Sequence, residues 1–319
     1  MPYLKPCYKL GDSYYIMSVG RISTFALHQN TLRDASRIQL QLADEQSQLS
    51  SGNKAQDFAG LGGSASEQFL LLENKIAKTD NYLNNNKVAT TRLNTTDNIL
   101  SQVIDTAASL KSLISQRRSG TFNNAAFTQI LKGNWQSLVS QLNTSLEGRY
   151  LFSGTRTDTP PVDSDTFPTL EQDGVPDDGY YQGSKADVTL RADDSTEMTY
   201  NVRADDEGIQ KIFAGLAMAQ QGHDNESDDN LQKAYELMTQ GLDGVIATRA
   251  VVNQNKVALD NINTRHDSFK LYFQGVKEEI GNADLVSVST QVAINQGILQ
   301  ASFQAFAKIN SLKLSDFLR

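Results

Sequence analysis

One run of residues at helical spacing, mostly apolar but with several polar positions, constrains the fold of this sequence more than any other feature. Its members alternate between spacings of three and four residues, without a slip, for about seven heptads. They are Phe69, Leu72, Ile76, Thr79, Leu83, Asn86, Thr90, Leu93, Asp97, Leu100, Ile104, Ala107, Lys111 and Ile114. This pattern predicts a helix from Ser66 to about Arg118, about 75 Å long if straight, that buries a narrow stripe against a second helix.

The same kind of spacing predicts further helices on both sides of a central segment that lacks helical spacing. Those helices run over Arg21–Ser51, Asn123–Gly148, about Ile209 to an acidic loop at His223–Asp229, from that loop to Gly281, and about Leu285–Leu314. The interval between Gly154 and Gly183 is rich in Pro and Gly, and alternating apolar residues follow it. Alternation at Ala186–Leu190 and Met198–Val202 predicts short strands, so this part is expected to be a small β insert.

The order of these elements is nearly mirror-symmetric about the β insert. The simplest fold brings the chain back on itself, so that each half pairs with its counterpart. We therefore predict a mainly α fold: an elongated antiparallel helical bundle or coiled coil folded back on itself, with a small β-rich insert at the tip. Its predicted parts are a leader (1–20), a terminal coiled-coil domain (21–60 plus 282–319), a helical rod domain (61–153 plus 206–281) and a β-rich outer domain (154–205).

Composition and charge narrow the class of function. Aromatic residues make up only 8% of the 319 residues, which favours narrow buried stripes over one thick core. The net charge is −8, so no basic surplus exists to neutralise phosphates, and nucleic acid is not an expected partner. Between Thr155 and Asn230 there are 18 acidic and 5 basic residues, a net of −13, which indicates a solvated outer region.

The first twenty residues lack helical periodicity and differ from the rest. Met1–Gly20 carries Pro2, Pro6 and Cys7, the single cysteine of the chain, and we expect this leader to be disordered or translation to start at Met17. The leader has no apolar run long enough for a secretory signal. No stretch reaches the roughly 20 apolar residues of a membrane span, so membrane insertion is not expected.

Residues that could carry chemistry are scattered. His28, His223 and His266 belong to no metal-binding motif. Gly60–Ala65 loosely matches a dinucleotide loop, but no strand precedes it, so a hinge is expected there. Aspartates near Pro and Gly in the insert lack the spacing of a calcium loop and are expected to serve turns. The prediction is a protein with no catalytic residues, no cofactor and no metal.

The first and last helices are the candidate functional region. They are terminal and narrow, and they are too short to be stable alone in water unless they dock on a partner. We predict that they pair with each other and with copies of the same chain. The stripe of the first helix is predicted to run through Leu32, Ala35, Gln39, Leu42, Gln46 and Leu49. The predicted assembly interface comprises Ile22, Leu27, Leu32, Ile38, Leu42, Leu49, Leu285, Val288, Val292, Leu299, Phe303, Phe306, Leu314, Phe317 and Leu318. Ile294, Ile298, Ala301 and Ala305 form a second apolar strip on the last helix.

Several segments of the chain have the character of family motifs. They are Gly148–Pro161, Arg21–Thr24, Gln48–Gly52, Asn94–Leu100, Ala283–Leu285, Ser289–Gln291 and the ending Leu312–Leu318. Together they resemble the flagellin superfamily, and particularly its hook–filament junction branch. The most specific is Gly148–Pro161, which is similar to the "YLFSGT…PP" exit from the family's third helix. The resemblance covers Arg21 to Arg319. The loop Asp57–Gly60 departs from it, since many members have an Asp-Pro step there, and the leader has no family counterpart.

The resemblance implies an axial flagellar subunit that leaves the cell unfolded through the flagellar type III export channel, without a cleaved signal peptide. Its paired terminal helices would line the tube, and the β insert would form the exposed outer domain. The implied partners are the chain itself in a ring-like homo-oligomer, the first hook-associated protein, flagellin and a flagellar export chaperone that holds the last helix. The implied location is extracellular, at the hook–filament junction.

Two other functions stay open on the residues. The nearest is a flagellin proper, the repeating filament subunit, which copy number in sheared filaments would distinguish from a junction protein. A secreted binding module or adhesin would use the β insert as its ligand site, and binding by Thr155–Asp205 alone would favour it. An enzyme would need a pocket with convergent titratable groups, which the sequence does not indicate.

Overall fold

The computed structural model describes residues 15–120, 124–165, 167–172, 175–176 and 178–315. In this part the chain forms six α-helices, so the predicted mainly α fold with a small β insert is confirmed. The helices are α1 (Tyr15–Ser51), α2 (Gly63–Arg118), α3 (Asn124–Leu142), α4 (Glu207–Asp224), α5 (Asp228–Gly281) and α6 (Leu285–Ser315). Short 3-10 helices occupy Ala59–Leu61 and Asp178–Tyr180.

Most helix boundaries lie close to the predicted ones, and α1 shows the largest difference at a start. It begins at Tyr15, inside the predicted leader, and the run from Tyr15 to Gly20 contains no proline that would prevent a helix. The rest of the predicted leader, including Cys7, lies outside the described residues. The acidic loop is only Asn225–Ser227, since α4 and α5 take in the residues on either side of it.

The β structure consists of three two-stranded antiparallel sheets among the described residues. The strands are β1 (Ser145–Leu146) with β2 (Arg149–Tyr150), β3 (Leu170–Gln172) with β4 (Val175–Pro176), and β5 (Thr189–Arg191) with β6 (Glu197–Thr199). The two predicted strands correspond to β5 and β6, and both are shorter than predicted. Asp193 and Asp194 lie in the turn between them.

The third helix ends earlier than predicted. α3 stops at Leu142 rather than Gly148, and the next residues form the β1–β2 hairpin. Its two central residues, Glu147 and Gly148, have φ of 53° and 75°, the left-handed geometry of a two-residue hairpin turn. Directly after the helix, the Asn143 side chain donates through Nδ2 to Val162 O at 2.8 Å and accepts through Oδ1 from Val162 N at 3.0 Å.

The chain divides into two compact units. The first comprises Met1–Asn74 and Phe273–Arg319, and the second comprises Lys75–Tyr272. α2 and α5 contribute residues to both units. The domain boundaries given above from the sequence stay predictions.

The second unit has an aromatic core where α3, α4 and the insert meet. Trp135 of α3 contacts Phe213 of α4 edge-on, with ring centroids 4.9 Å apart. Tyr180 of the insert meets the same Phe213 ring at 4.6 Å, and its hydroxyl donates to Ala204 O at 2.9 Å. The insert is therefore packed onto helices through buried rings rather than through a large sheet.

α4 and α5 pack backbone against backbone in this unit. Gly208, Gly215 and Gly222 recur at heptad spacing on α4, and each faces α5 closely. A Cβ added at Gly208 would lie 2.6 Å from Val245 N and 2.8 Å from the carbonyl carbon of Gly244. Only glycine allows this approach, so the spacing of these glycines sets how near the two helices lie.

Polar side chains join α2 to α5 along the same unit. Asp97 of α2 accepts from Arg249 Nε at 2.7 Å and from Asn253 Nδ2 at 3.1 Å, and Lys256 Nζ lies 3.5 Å away. Burial raises the pKa of Asp97, but these hydrogen bonds and cations outweigh it and hold the pKa below its ordinary value. The carboxylate is therefore ionised and fixes the pairing of the two helices at this level.

Candidate assembly surfaces of the terminal helices

α1 and α6 form an antiparallel pair in the first unit. His28 and Phe306 lie together at one end, with ring centroids 4.7 Å apart. At the other end Asn53 and Asn282 form an isolated antiparallel bridge. Partners thus run in opposite directions along the two helices, so the predicted pairing of the first helix with the last is present in the structure.

The seam between the two helices follows a strict three–four spacing on both sides. On α1, Ala35 and Ile38 are buried, and on α6 Asn295 is only 5% exposed. The other seam residues are half-buried: Thr31, Leu42 and Glu45 on α1, and Val288, Val292, Leu299, Ser302 and Phe306 on α6. The seam is narrow and partly polar, which makes it a weaker contact than a continuous Leu/Ile stripe would be.

One polar pair crosses the seam. Asn295 Nδ2 donates to Glu45 Oε1 at 2.7 Å, and Gln291 Nε2 lies 3.4 Å from Asn295 Oδ1. An amide and a carboxylate at facing positions satisfy each other only when the helices are correctly aligned. The pair therefore favours one alignment of α1 on α6.

A backbone clamp joins the end of α1 to the start of α6. Lys54 N donates to Gly281 O at 2.7 Å, and Ala283 N donates to Gly52 O at 2.8 Å. Lys54 Nζ also donates to Glu279 O at 2.8 Å. The clamp holds the expected hinge segment, where Gly62 has φ 85° and ψ 151°, a conformation almost restricted to glycine.

An apolar strip lies outside the seam on α6. Ile294, Ile298, Ala301 and Ala305 are exposed, and each precedes a seam residue by one position. One residue corresponds to about 100° of rotation around an α-helix. This α6 strip is therefore a second apolar face, displaced by that angle from the face that contacts α1.

A second strip lies on the opposite side of the pair and is built from both helices. Leu32, Ser36 and Ala43 of α1 and Phe303 of α6 are exposed, and each follows a seam residue by one position. Because the helices are antiparallel and their seams face each other, this displacement places all four on one side of the pair and the α6 strip on the other. This Leu32 strip is less apolar than the α6 strip, since it alternates the large Leu32 and Phe303 with the small Ser36 and Ala43.

The predicted interface residues fall into three groups. Ile38, Leu42, Val288, Val292, Leu299 and Phe306 lie in the α1–α6 seam. Leu32, Leu49, Leu285 and Phe303 are exposed. Ile22, Leu27 and Leu314 lie in helices, but their side chains are outside the described part of the chain, as are Phe317 and Leu318 altogether. Their role in assembly stays a prediction.

Sequence reasoning missed the polar seam residues Thr31, Glu45 and Asn295. It placed Leu32, Gln39 and Gln46 in the stripe of α1, and each of these lies one position beyond a true seam residue. One signal in the sequence could have located the seam. Residues at the heptad spacing of the seam, with polar side chains counted as well as apolar ones, are Thr31, Ala35, Ile38, Leu42 and Glu45.

Other types of site find little support in the described residues. They contain no group of three or more His, Cys, Asp and Glu side chains that could hold a metal. None of their helices is long and apolar enough to cross a membrane. A cavity of about 420 Å³ lies beside the clamp, lined partly by Phe58, Phe69, Glu73 and Lys277. Lys277 pairs with Glu73 at 2.8 Å there.

Comparison with known proteins agrees with this arrangement. The model of the bacterial flagellin N-terminal helical region matches residues 22–157. Flagellar hook-associated protein 3 of Escherichia coli (strain K12) is 22% identical over 92% of this chain and 98% of its own length. The protein of the same name from Salmonella typhimurium is 21% identical over the same shares. The crystal structure of Bacillus cereus FlgL shares the fold, with a TM-score of 0.52 and 20% identity over 64% of this chain and 97% of that one.

The match over residues 22–157 makes the chain similar to the flagellin superfamily. The paired terminal helices and the helical second unit with its small β insert agree with that similarity. Both relatives that match nearly the whole length of the chain are named flagellar hook-associated protein 3. The resemblance noted in the sequence is therefore confirmed.

Proposed function

We propose that this chain is a structural adaptor of the bacterial flagellum, located in the axial structure at the hook–filament junction. Its relatives are named for the hook, and its terminal helices carry apolar surface that their mutual contact does not cover. The single observation that carries the proposal is the pair of exposed strips on opposite sides of α1–α6. Association of copies through these strips is the proposed activity, and it requires no cofactor and no catalysis.

The position of the strips indicates how copies associate. Two different patches on opposite sides of one subunit make a head-to-tail contact, in which the α6 strip of one copy lies on the Leu32 strip of the next. The small Ser36 and Ala43 leave room there for the large Ile294 and Ile298 of the neighbour. Such a contact extends around a ring or along a helix instead of closing at a dimer.

The weakness of the isolated helix pair fits assembly of this kind. The α1–α6 seam is narrow and partly polar, and Ile and Leu side chains are exposed beside it. A neighbour that covers the strips removes this apolar surface from water and stabilises the pair at the same time. Ordering of the terminal helices and association of copies are therefore coupled in this proposal.

The finer features of the proposal come from the family resemblance. The first hook-associated protein would lie on one side of the ring and flagellin on the other, and an export chaperone would cover α6 before assembly. The location would be outside the cell, reached through the flagellar export channel without a cleaved signal. A filament flagellin is the nearest alternative, and the names of the two long relatives favour the junction protein.

Charge placed in the strips tests the proposal. Ile298→Lys puts a cation in the α6 strip, and Leu32→Lys puts one in the Leu32 strip. Their matched controls are Gln304→Lys and Leu40→Lys, at exposed positions that follow a seam residue by two and so face away from the partner helix. In cells that lack the native gene, we expect the controls to restore filaments. The two strip variants should instead leave hooks that shed flagellin monomers into the medium.

Two results would contradict parts of the proposal. Normal filaments with both strip variants would mean that the strips are not assembly surfaces. If the parent chain is a major component of sheared filaments, the chain is a filament subunit and not a junction adaptor. Copy number by quantitative immunoblotting of sheared filaments separates a trace junction protein from a major flagellin.

A further inference from the structure

The tip of the β5–β6 hairpin, Ala192–Asp194, contacts two helices at once. Asp194 Oδ1 accepts from Tyr82 OH at 2.8 Å and from Lys78 Nζ at 2.5 Å, both on α2. The preceding Asp193 pairs with Arg265 on α5. Two neighbouring carboxylates thus divide between the two helices, one to each.

The carbonyl oxygen of Ala192 also contacts both helices. It accepts from Asn86 Nδ2 of α2 at 3.1 Å and faces His266 Nε2 of α5 at 3.0 Å. Ala192 and Asn86 are fully buried, and His266 is nearly so. The Tyr82 and His266 rings stack under the tip with centroids 5.4 Å apart. These bonds are shielded from water, so each contributes more than an exposed hydrogen bond would.

The hairpin turn is also held by hydrogen bonds within itself. Asp193 Oδ1 accepts from Ser195 N at 2.7 Å, Ser195 Oγ at 3.0 Å and Thr196 N at 2.6 Å. Burial alone would raise the pKa of Asp193, but these hydrogen bonds outweigh it and lower the pKa to about 2. The hydrogen bond from Lys78 and then that from Tyr82 lower the pKa of Asp194. Both carboxylates therefore stay charged across the physiological pH range.

The hairpin tip lies at a level of α2 and α5 where their buried side chains change from apolar to polar. Among the described residues of the second unit, Ala89 is the first buried apolar side chain on α2 and Ile262 is the last on α5. Beyond them, in residues 75–88 and 263–272, the buried positions are Thr79, Asn86 and His266, all polar. Neither of these two stretches contains a fully buried apolar side chain, and Ile76 and Leu83 of α2 are only half-buried. Apolar packing is therefore thin where the hairpin tip lies, although helices in proteins take most of their stability from packed apolar faces.

We propose that the hairpin tip is a strap that holds α2 and α5 together where no apolar side chain between them is fully buried. The strap adds hydrogen bonds and ion pairs from a β turn to two direct pairs between the helices, Lys270–Asp80 at 2.6 Å and Asn86–Asn263 at 2.9 Å. Its loss would let residues 75–88 of α2 and 263–272 of α5 separate and exchange with solvent, while the core nearer Leu100 stays closed. The strap thus sets the stiffness of the α2–α5 pair at residues 75–88 and 263–272.

Hydrogen exchange measured by mass spectrometry on the full chain tests the strap. The first variant, Asp193→Ala/Asp194→Ala, removes the tip carboxylates. The second, Lys78→Ala/Arg265→Ala, removes the cations on the helices and leaves the bonds within the turn intact. The control is Glu197→Ala, which removes an acidic side chain on the exposed face of the same hairpin.

We expect both double variants to exchange at least tenfold faster than the parent at 75–88 and 263–272, and to match it at 100–114. In the second variant the turn amides of Ser195 and Thr196 should stay protected, and Glu197→Ala should match the parent throughout. Unchanged protection at 75–88 and 263–272 would overturn the strap. An equal rise at 100–114 would overturn it too, because the contacts would then act on global stability and not at one level.

Discussion

The close packing of α4 on α5 makes a strong prediction for Gly208→Ala. A Cβ at this position would meet backbone atoms at 2.6 Å (Val245 N) and 2.8 Å (Gly244 C), and Gly241 O at 3.1 Å. Backbone atoms cannot rotate away as a flexible side chain can, so the two helices must move apart or unfold locally. Overpacking of a well-packed core typically costs about 1–3 kcal/mol, and we expect Gly208→Ala to lower the free energy of unfolding by that amount.

Gly133→Ala is the matched control. Gly133 lies inside α3, and a Cβ there would meet no atom within 4 Å. In a helix interior alanine is favoured over glycine by roughly 0.5–1 kcal/mol, because glycine loses more backbone freedom on folding. The same substitution is thus expected to stabilise at Gly133 and to destabilise at Gly208, a difference in sign that no general property of alanine explains.

The assay is urea unfolding of the full chain followed by tryptophan fluorescence. Trp135 is the one tryptophan of the chain, and its ring packs on Phe213 of α4, so the signal reports the core in which α4 lies. Equal or greater stability of Gly208→Ala than of Gly133→Ala would refute the reasoning. It would mean that α4 and α5 lie farther apart than the glycine contacts require.

Substitutions at three further positions, with Gly63 as a comparison, probe single features. The pKa of Asp193 is lowered from 3.8 to about 2, so its charge stabilises the fold above about pH 4 and this effect is lost as the pH falls through 2. Asp193→Asn should therefore lower the free energy of unfolding by about 2 kcal/mol at pH 7 and by much less at pH 2, as measured by urea unfolding. Asp206 caps α4 by accepting from Gly208 N, and burial raises its pKa, so the folded state carries a cost for the charged carboxylate that a neutral acceptor would avoid. Asp206→Asn keeps the cap and should match or exceed the parent at pH 7, whereas Asp206→Ala should lose about 1 kcal/mol. Urea midpoints measure both effects. Gly62→Ala should lower the local stability of the hinge segment by about 1–3 kcal/mol, whereas Gly63→Ala should change it very little. Hydrogen exchange of residues 52–62 in the two variants measures this difference.

The sequence predicted the long helices well because their pattern depends on many residues at once. The stripe of α2 continues over its whole length, so one polar position such as Asn86 cannot disguise it. The end of α5 at Gly281 was also predictable. Asn282 and Ala283 leave the helix for the clamp, and the predicted end coincides with the observed one.

The local details that the sequence did not reveal depend on partners distant in the chain. Directly after the early end of α3, the side chain of Asn143 bonds to Val162, nineteen residues away, a contact with no local signature. Part of the α1 stripe was misplaced by one position because Glu45, a true seam residue, is satisfied by Asn295 on the far helix. The hairpin strap joins residues of α2, α5 and a β turn, which no periodicity brings together.

The clamp beside the hinge has a consequence for how this sequence can change. Its two hydrogen bonds use only main-chain atoms of Gly52, Lys54, Gly281 and Ala283. Every residue except proline carries the donor, and every residue carries the acceptor. Substitutions can therefore accumulate in the adjoining loop without loss of the join between α1 and α6.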